Sequence, residues 1–136
     1  MIRHGRELAL AVPLVSIPLL GGCGAAAAGA AGAAAGMAYS ERGATSHVNA
    51  NLTEIADATE AVFRAMNIRL DEREEEVDDD EIELKGTDGN NKVVVDIDGN
   101  RNVAQSRIEV TVSREIDYDK ARAQQILSAI LAAVES

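Results

Sequence analysis

The chain has 136 residues and a formal net charge of −10 at neutral pH. That charge repels nucleic acid and anionic lipid headgroups, so it excludes most functions that depend on a basic patch. Aromatic side chains are limited to Tyr39, Phe63 and Tyr118, which disfavours a site that stacks sugars or bases on aromatic rings. The length suits one small domain with additional segments.

Residues 1–22 have the layout of a lipoprotein signal peptide. Arg3 and Arg6 give a positively charged start, residues 8–20 are uncharged and mostly apolar, and the letters LGGC end the run at Cys23. Small residues before a cysteine are typical of a lipobox, in which the thiol is acylated before the preceding peptide bond is cut. The sequence therefore predicts cleavage after residue 22 and lipidation of Cys23.

Two alternatives compete with the lipobox. No charged residue lies between Glu7 and Glu41, which is long enough for a transmembrane helix. Pro13, Pro18 and the glycines of this stretch, with many weakly apolar alanines, argue against such a helix. The second alternative makes Cys23 an ordinary buried residue, but a lone cysteine directly after a signal peptide fits lipidation better, because it has no disulfide partner.

Residues 23–41 are predicted to be the lipidated cysteine and a Gly/Ala-rich tether. The tract supports only a marginal helix or a flexible spacer, because each glycine opposes helix by about 1 kcal/mol. Gly32 and Gly36 form one GxxxG, a spacing that can pair membrane helices but arises easily in so biased a tract. Gly24 stands where aspartate commonly signals inner-membrane retention in Gram-negative bacteria. The expected location is therefore the outer membrane, facing the periplasm.

A small domain is predicted over residues 42–136. Residues 42–49 alternate weakly and are interpreted as an edge strand. Asn51 and Glu54 form a capping box for a helix over 52–66, whose apolar stripe is Leu52, Ile55, Thr59, Val62, Phe63 and Met66. Asn67 suits the left-handed residue that closes such a helix.

Strands follow the helix. Ile68 and Leu70 are expected on one face, before the residues from Asp71 to Glu83 form a hairpin with an acidic tip and return with Ile82 and Leu84 inward. Asp88-Gly89 and Gly99-Asn100 predict the next turns. Inward strand residues are Val93, Val95, Ile97, Ile108, Val110 and Val112. Asp117 is expected to cap a last helix with the stripe Ala123, Ile126, Leu127, Ile130, Leu131 and Val134.

This pattern predicts an α+β fold in the order β-α-β-β-β-β-α. We expect a two-layer domain in which an antiparallel sheet of four to five strands carries both helices on one face. The other face would be open and lined by Glu83, Lys85, Val94, Arg107, Glu109 and Thr111.

The whole layout resembles the small bacterial lipoproteins grouped as domain of unknown function 3568. The features that carry the likeness are the lipobox cysteine, the Gly/Ala tract, a short strand, the helix from Asn51, the turn-linked strands and the closing helix. Two segments depart from that group, the acidic hairpin and the stretch from Arg114 to Asp117. The resemblance implies an exported two-layer lipoprotein and transfers no site residues.

Catalytic chemistry has little support in the sequence. Outside the signal segment the only histidine is His47, on the weak first strand, where an exposed polar role is expected. Neither a GxGxxG nor a P-loop occurs, and Cys23 would be consumed by its lipid. Carboxylates crowded on an exposed hairpin lack the apolar pocket that would separate their pKa values. We therefore expect no enzyme and no cofactor.

Calcium binding is the alternative function. The run from Asp96 to Asn100 offers oxygen ligands around a glycine, and Asp78-Asp79-Asp80 offers more. An EF-hand register fails because Arg107 would occupy its twelfth position. Turn chemistry at Gly99 and a solvated acidic tip explain both runs without a metal.

The sequence thus predicts a lipid-anchored envelope protein that acts as a non-enzymatic binding or structural accessory. Its expected partners are the membrane, through the lipid, and an envelope protein. The hairpin from Asp71 to Glu83 is the hypothesised contact, and the open sheet face is the competing surface.

Overall fold

A computed structural model describes residues 37–136. Six strands form one antiparallel sheet, and two helices complete the domain. In chain order the elements are β1 (Met37–Tyr39), β2 (Gly43–Val48), α1 (Leu52–Ala65), β3 (Arg69–Glu76), β4 (Glu81–Asp88), β5 (Asn91–Asn100), β6 (Val103–Ser113) and α2 (Lys120–Glu135). The predicted cleavage site, Cys23 and most of the predicted tether lie outside the described residues.

The α+β class, the antiparallel sheet and the two helices confirm the prediction. The predicted strand number and order are wrong, since the sheet has six strands and the order is β-β-α-β-β-β-β-α. The extra strand is β1, within the stretch interpreted as tether. It pairs with β2, Met37 packs against the core, and the Tyr39 hydroxyl donates a hydrogen bond to Gln124 of α2. Three residues are too few for a periodic signal, so only these contacts define the strand.

Both helices cover one face of the sheet. The strand order is β1-β2-β6-β5-β4-β3; α2 lies over β2 and β6, while α1 lies over β3, β4 and β5. Alternate residues of the strands point into this layer, where they are fully buried with the helix stripes. The predicted inward residues of β4, β5 and β6 are all in this core, as are Phe63, Ile126 and Ile130.

The predicted start and end of α1 are confirmed. Asn51 accepts a hydrogen bond from the Glu54 amide at 3.0 Å, and the Glu54 carboxylate accepts one from the Asn51 amide at 3.3 Å. Asn67 has φ of 56°, the left-handed conformation that ends the helix. The predicted N-cap residue of α2 is wrong by two positions. Asp119, and not Asp117, accepts a hydrogen bond from the amide of Arg122.

Two predicted turns lie elsewhere. The acidic run from Asp71 to Glu76 is strand β3, and the turn occupies residues 77–80. Pairing along β4 supplies the backbone hydrogen bonds that compensate for the poor strand preference of acidic residues. Likewise Gly99 and Asn100 end strand β5, and the turn follows at 101–102. A side chain at Gly99 would come within 2.5 Å of the Ser106 hydroxyl, so this glycine serves close strand packing.

Leu70 lies opposite the buried Gly86 and is therefore on the helix side, where it was predicted together with Ile68, but the two residues differ in burial. Ile68 is buried just before β3, whereas Leu70 is exposed. The register between β3 and β4 shifts between Leu70 and Glu72, so the alternation of the strand is broken there.

Candidate functional site

The sheet face opposite the helices is open in the described part of the chain. The register places the predicted residues of this face together. Glu83 and Lys85 lie on β4 beside Val94 of β5, and the β6 residues Arg107, Glu109 and Thr111 continue the same surface. The prediction of which residues share this face is confirmed.

Four carboxylates lie directly opposite one another across four neighbouring strands. The register pairs Glu74 with Glu83, Glu83 with Asp96, and Asp96 with Glu109. We call this set the acidic row. Like charges at directly opposed positions destabilise an antiparallel sheet, so the row is not explained by folding stability.

The two flanking rows add further carboxylates. On one side Glu76, Glu81 and Asp98 are aligned and lead to Arg107, and on the other Glu72 is opposite Lys85. We call the combined surface the acidic face, whose carboxylates are Glu72, Glu74, Glu76, Glu81, Glu83, Asp96, Asp98 and Glu109.

The hairpin and the sheet face, two competing surfaces in the sequence analysis, are one surface. Strand β3 alternates, so that Glu72, Glu74 and Glu76 join the acidic face. Arg73 and Glu75 point to the helix side, where Arg73 bonds α1. The hairpin is therefore the edge of the acidic face and not a separate tip.

Two cations, Lys85 and Arg107, form ion pairs with carboxylates of the acidic face. The Lys85 ammonium lies 2.7 Å from a Glu83 oxygen, 3.2 Å from Glu74 and 3.3 Å from Glu72. The Arg107 guanidinium lies 2.8 Å from Glu109 and 3.3 Å from Asp98. Each cation is shared among several carboxylates, so the face keeps an excess of negative charge.

Asp96 occupies the centre of the acidic row and forms no ion pair among residues 37–136. Burial, the hydrogen bond with Glu83 and the negative charges of Glu83, Glu81 and Glu109 raise the pKa of Asp96 to about 7. By contrast, the hydrogen bond from Lys85 lowers the pKa of Glu83. The pKa values of these two adjacent carboxyl groups are thus shifted in opposite directions.

A shallow depression of about 80 Å³ lies at the β3–β4 end of the acidic face. Glu74, Glu76, Glu81 and Glu83 line it. Burial, followed by the charges of Asp98 and its acidic neighbours, raises the pKa of Glu81 above its usual value. The depression is polar and open, which suits a cationic group better than an apolar ligand.

The structure does not form the calcium loop that the sequence suggested around Gly99. Residues 96–100 are extended strand, in which the side chains of Asp96 and Asp98 project from one face while Ile97 is buried on the other. Across residues 37–136, no three acidic, histidine or cysteine side chains are arranged to hold a metal ion.

The other predicted candidates lie at the margins of this surface or outside the described residues. His47 is exposed on β2, where the register places it opposite Arg107. Asp78 and Asp79 lie exposed in the β3–β4 turn, while Asp80 pairs with Arg101 at 3.2 Å. Cys23, the predicted lipidation site, lies outside the described residues.

Sequence reasoning missed Asp96 as the centre of the site. Its position between the inward residues Val95 and Ile97 already indicated the open face, but Asp96 was considered only as a calcium ligand in the less favoured alternative and was not included among the residues of that face. The strand register that sets it opposite Glu83 and Glu109 was not available from periodicity alone.

A family match is consistent with this architecture. The family model described as "Protein of unknown function (DUF3568)" matches residues 8–133. The chain belongs to the DUF3568 family. The match includes the apolar run before Cys23 and the described domain as far as residue 133. No curated protein matches this DUF3568 chain. Within residues 37–136, neither helix is long and apolar enough to span a membrane.

Proposed function

We propose that this protein is an envelope lipoprotein, anchored through Cys23, that acts as a non-enzymatic accessory by docking a basic partner protein on the acidic face. The observation that carries the docking surface is the acidic row, in which four opposed carboxylates continue across four strands. The lipid anchor rests on the signal layout and the lipobox of the sequence.

Charge complementarity favours a basic partner. The sheet face is uncovered in the described domain, and its cations Lys85 and Arg107 are each shared among carboxylates of the same face. A basic surface would relieve the repulsion between opposed carboxylates, and such attraction steers association and weakens as salt rises.

The face is better suited to docking than to catalysis. Its depression near Glu81 has a volume of only about 80 Å³ and is lined by carboxylates, without the apolar walls that usually enclose a catalytic pocket. A lipid anchor would confine the protein to the membrane plane and raise its effective concentration toward neighbours there, so that a modest surface affinity would suffice.

Site-specific photocrosslinking in intact cells tests the docking surface. A photoreactive residue replaces Glu74 or Glu109, which lie on the acidic face, or Glu75, which is the next residue of β3 and points to the helix side. Crosslinks from positions 74 and 109 but not from 75 would support the proposal. Products from position 75 alone would reject the acidic face.

A matched charge variant tests the electrostatic basis. Glu72→Gln, Glu74→Gln and Glu76→Gln together remove three charges from the acidic face. The control triple, which removes the same charge from exposed residues elsewhere without ion pairs in the structure, is Glu41→Gln, Glu115→Gln and Glu135→Gln. We expect the first triple to lower the crosslink yield and the control to leave it unchanged. Equal yields would contradict docking by charge.

Processing is tested at Cys23. Cys23→Ser should abolish acylation and leave the precursor uncut, because the peptidase requires the modified cysteine. Mass spectrometry of the membrane fraction measures both. An unchanged mature terminus in the variant would overturn the lipobox, and fractionation of the parent with the inner membrane would contradict the outer-membrane location.

Weak calcium binding through the acidic hairpin is the alternative function; the carboxylates that line the depression are its only candidate ligands there, although no three of them are arranged to hold a metal ion. A calcium titration of the full chain, followed by carboxyl NMR signals, would distinguish the two. Saturable shifts confined to Glu74, Glu76, Glu81 and Glu83 at millimolar calcium or below would favour the alternative.

A further inference from the structure

The central pair of the acidic row is Glu83 and Asp96, on the adjacent strands β4 and β5. The two side chains are directly opposed in the register and lie side by side on the open face. Two ionised carboxylates in this position repel each other and can only accept hydrogen bonds, whereas a proton on one of them would let it donate to the other.

We propose that Glu83 and Asp96 share one proton, so that the acidic face gains a negative charge as the pH rises through neutrality. The geometry supports this pairing because the flanking positions of the same row, Glu74 and Glu109, are also carboxylates. Two adjacent like charges resist ionising together, and the surrounding carboxylates increase that resistance.

The surrounding charges affect Glu83 and Asp96 differently. Lys85 bonds Glu83 at 2.7 Å and thereby favours the ionised form of Glu83. The proton is accordingly held on Asp96, whose pKa is raised to about 7. The charged groups that face the pair from the four strands are Glu72, Glu74 and Glu76 of β3, Glu81 and Lys85 of β4, Lys92 and Asp98 of β5, and Arg107 and Glu109 of β6.

For the proposed docking, proton sharing means that a basic partner would meet a more negative surface at pH 8 than at pH 6. This consequence rests on the proposed function, but the proton-sharing pair does not. The pair is a property of the sheet and is measurable without any partner.

Carbon-13 NMR of the side-chain carboxyl groups tests the pair, with the full chain in detergent micelles titrated from pH 3 to pH 9. In the parent we expect Asp96 to titrate near pH 7 and the Glu83 signal to respond in the same step, because the two sites are coupled. Titration of Asp96 below pH 5 would overturn the proposal, and this measurement requires no variant.

Two variants test whether Glu83 causes the high titration midpoint of Asp96. Glu83→Gln should lower the Asp96 midpoint by about one pH unit or more, because it removes the nearest negative charge. Glu115→Gln, which removes a charge from an exposed loop residue, should leave the midpoint unchanged. An Asp96 midpoint that stays near 7 in Glu83→Gln would show burial alone to be the cause and would reject proton sharing. A failed crosslinking experiment would leave this result intact, so the two proposals fail separately.

Discussion

On the covered face of the sheet, Leu84 and Val95 lie opposite each other on β4 and β5 and are fully buried beneath the helices. One residue away on each strand, Glu83 and Asp96 form the same kind of opposed pair on the open face. Burying each apolar side chain contributes about 1.5 to 3 kcal/mol, whereas opposed like charges destabilise a sheet by some tenths of a kcal/mol. The covered face therefore holds the fold together, whereas the opposed carboxylates of the open face work against it.

The largest loss of stability is expected for Ile130→Ala, which tests this contrast between the two faces. Ile130 is fully buried in the core beneath the sheet, so its truncation should lower the free energy of unfolding by about 2 to 5 kcal/mol. Urea denaturation measures the change. The control Val94→Ala, at a half-buried position on the open face, should cost less than about 1 kcal/mol. Equal losses for the two variants would refute the proposed division between the faces.

An intermediate effect is expected where charges stabilise the covered side. Arg73 lies on the helix side of β3 and bonds Glu60 at 2.8 Å and Asp57 at 3.1 Å, with only 22% of its side chain exposed. Arg73→Leu should cost about 1 to 2 kcal/mol, since this pairing fastens α1 to the sheet edge. Arg69→Leu is the control, because Arg69 is 74% exposed and its ion pair with Asp71 is solvated. If the control costs as much as Arg73→Leu in thermal denaturation, the α1 contacts do not explain the effect.

A pH-dependent effect belongs to the open face. The pKa of Asp96 is raised from 3.8 to about 7, so the folded state binds a proton more tightly than the unfolded chain does. The stability from this group is fully present below about pH 4 and is lost as the pH rises through 7. After allowance for solvent screening, we expect a loss of about 1 kcal/mol between pH 5 and pH 8.

Asp96→Asn should remove that loss, because the amide stays neutral at every pH. Denaturation curves at pH 5, 6, 7 and 8 measure it, and Glu135→Gln provides the matched control with one charge removed from the exposed end of α2. Parallel pH profiles for the parent and Asp96→Asn would contradict the assignment.

The smallest effect is expected for Glu75→Ala. Glu75 bonds Arg73 at 2.8 Å but is 40% exposed, and Arg73 keeps its other partners on α1 when Glu75 is removed. The change in the free energy of unfolding should be within about 0.5 kcal/mol. A loss comparable to that of Arg73→Leu would show that Glu75 orients the arginine, and would revise the ranking.

Much of the covered side was predictable from local patterns. The alternation of Val93, Val95 and Ile97 identified a strand and its buried face, because successive side chains of a strand point to opposite sides. The capping box at Asn51 marked the start of α1, because its geometry spans only four residues. Both signals are contained within one element, so no knowledge of the partner strand was needed.

The errors arose where tertiary pairing overrides local preference. The acidic run before Glu76 and the Gly99-Asn100 pair both favour turns by composition, yet the neighbouring strands extend them as β3 and β5. Strand β1 was not predicted for a different reason. It is too short for periodicity and depends on β2 and α2 for its contacts.

The sequence by itself determined the charge of the protein, the predicted lipobox at Cys23, and the division of residues between apolar and polar faces, because each depends on residue type and local spacing. Only the tertiary structure decided that Glu74, Glu83, Asp96 and Glu109 form one row. These four residues come from four strands, and their alignment depends on the register of three separate pairings. A shift of one residue in any pairing would have moved a carboxylate to the other face, so no local pattern could specify the acidic row.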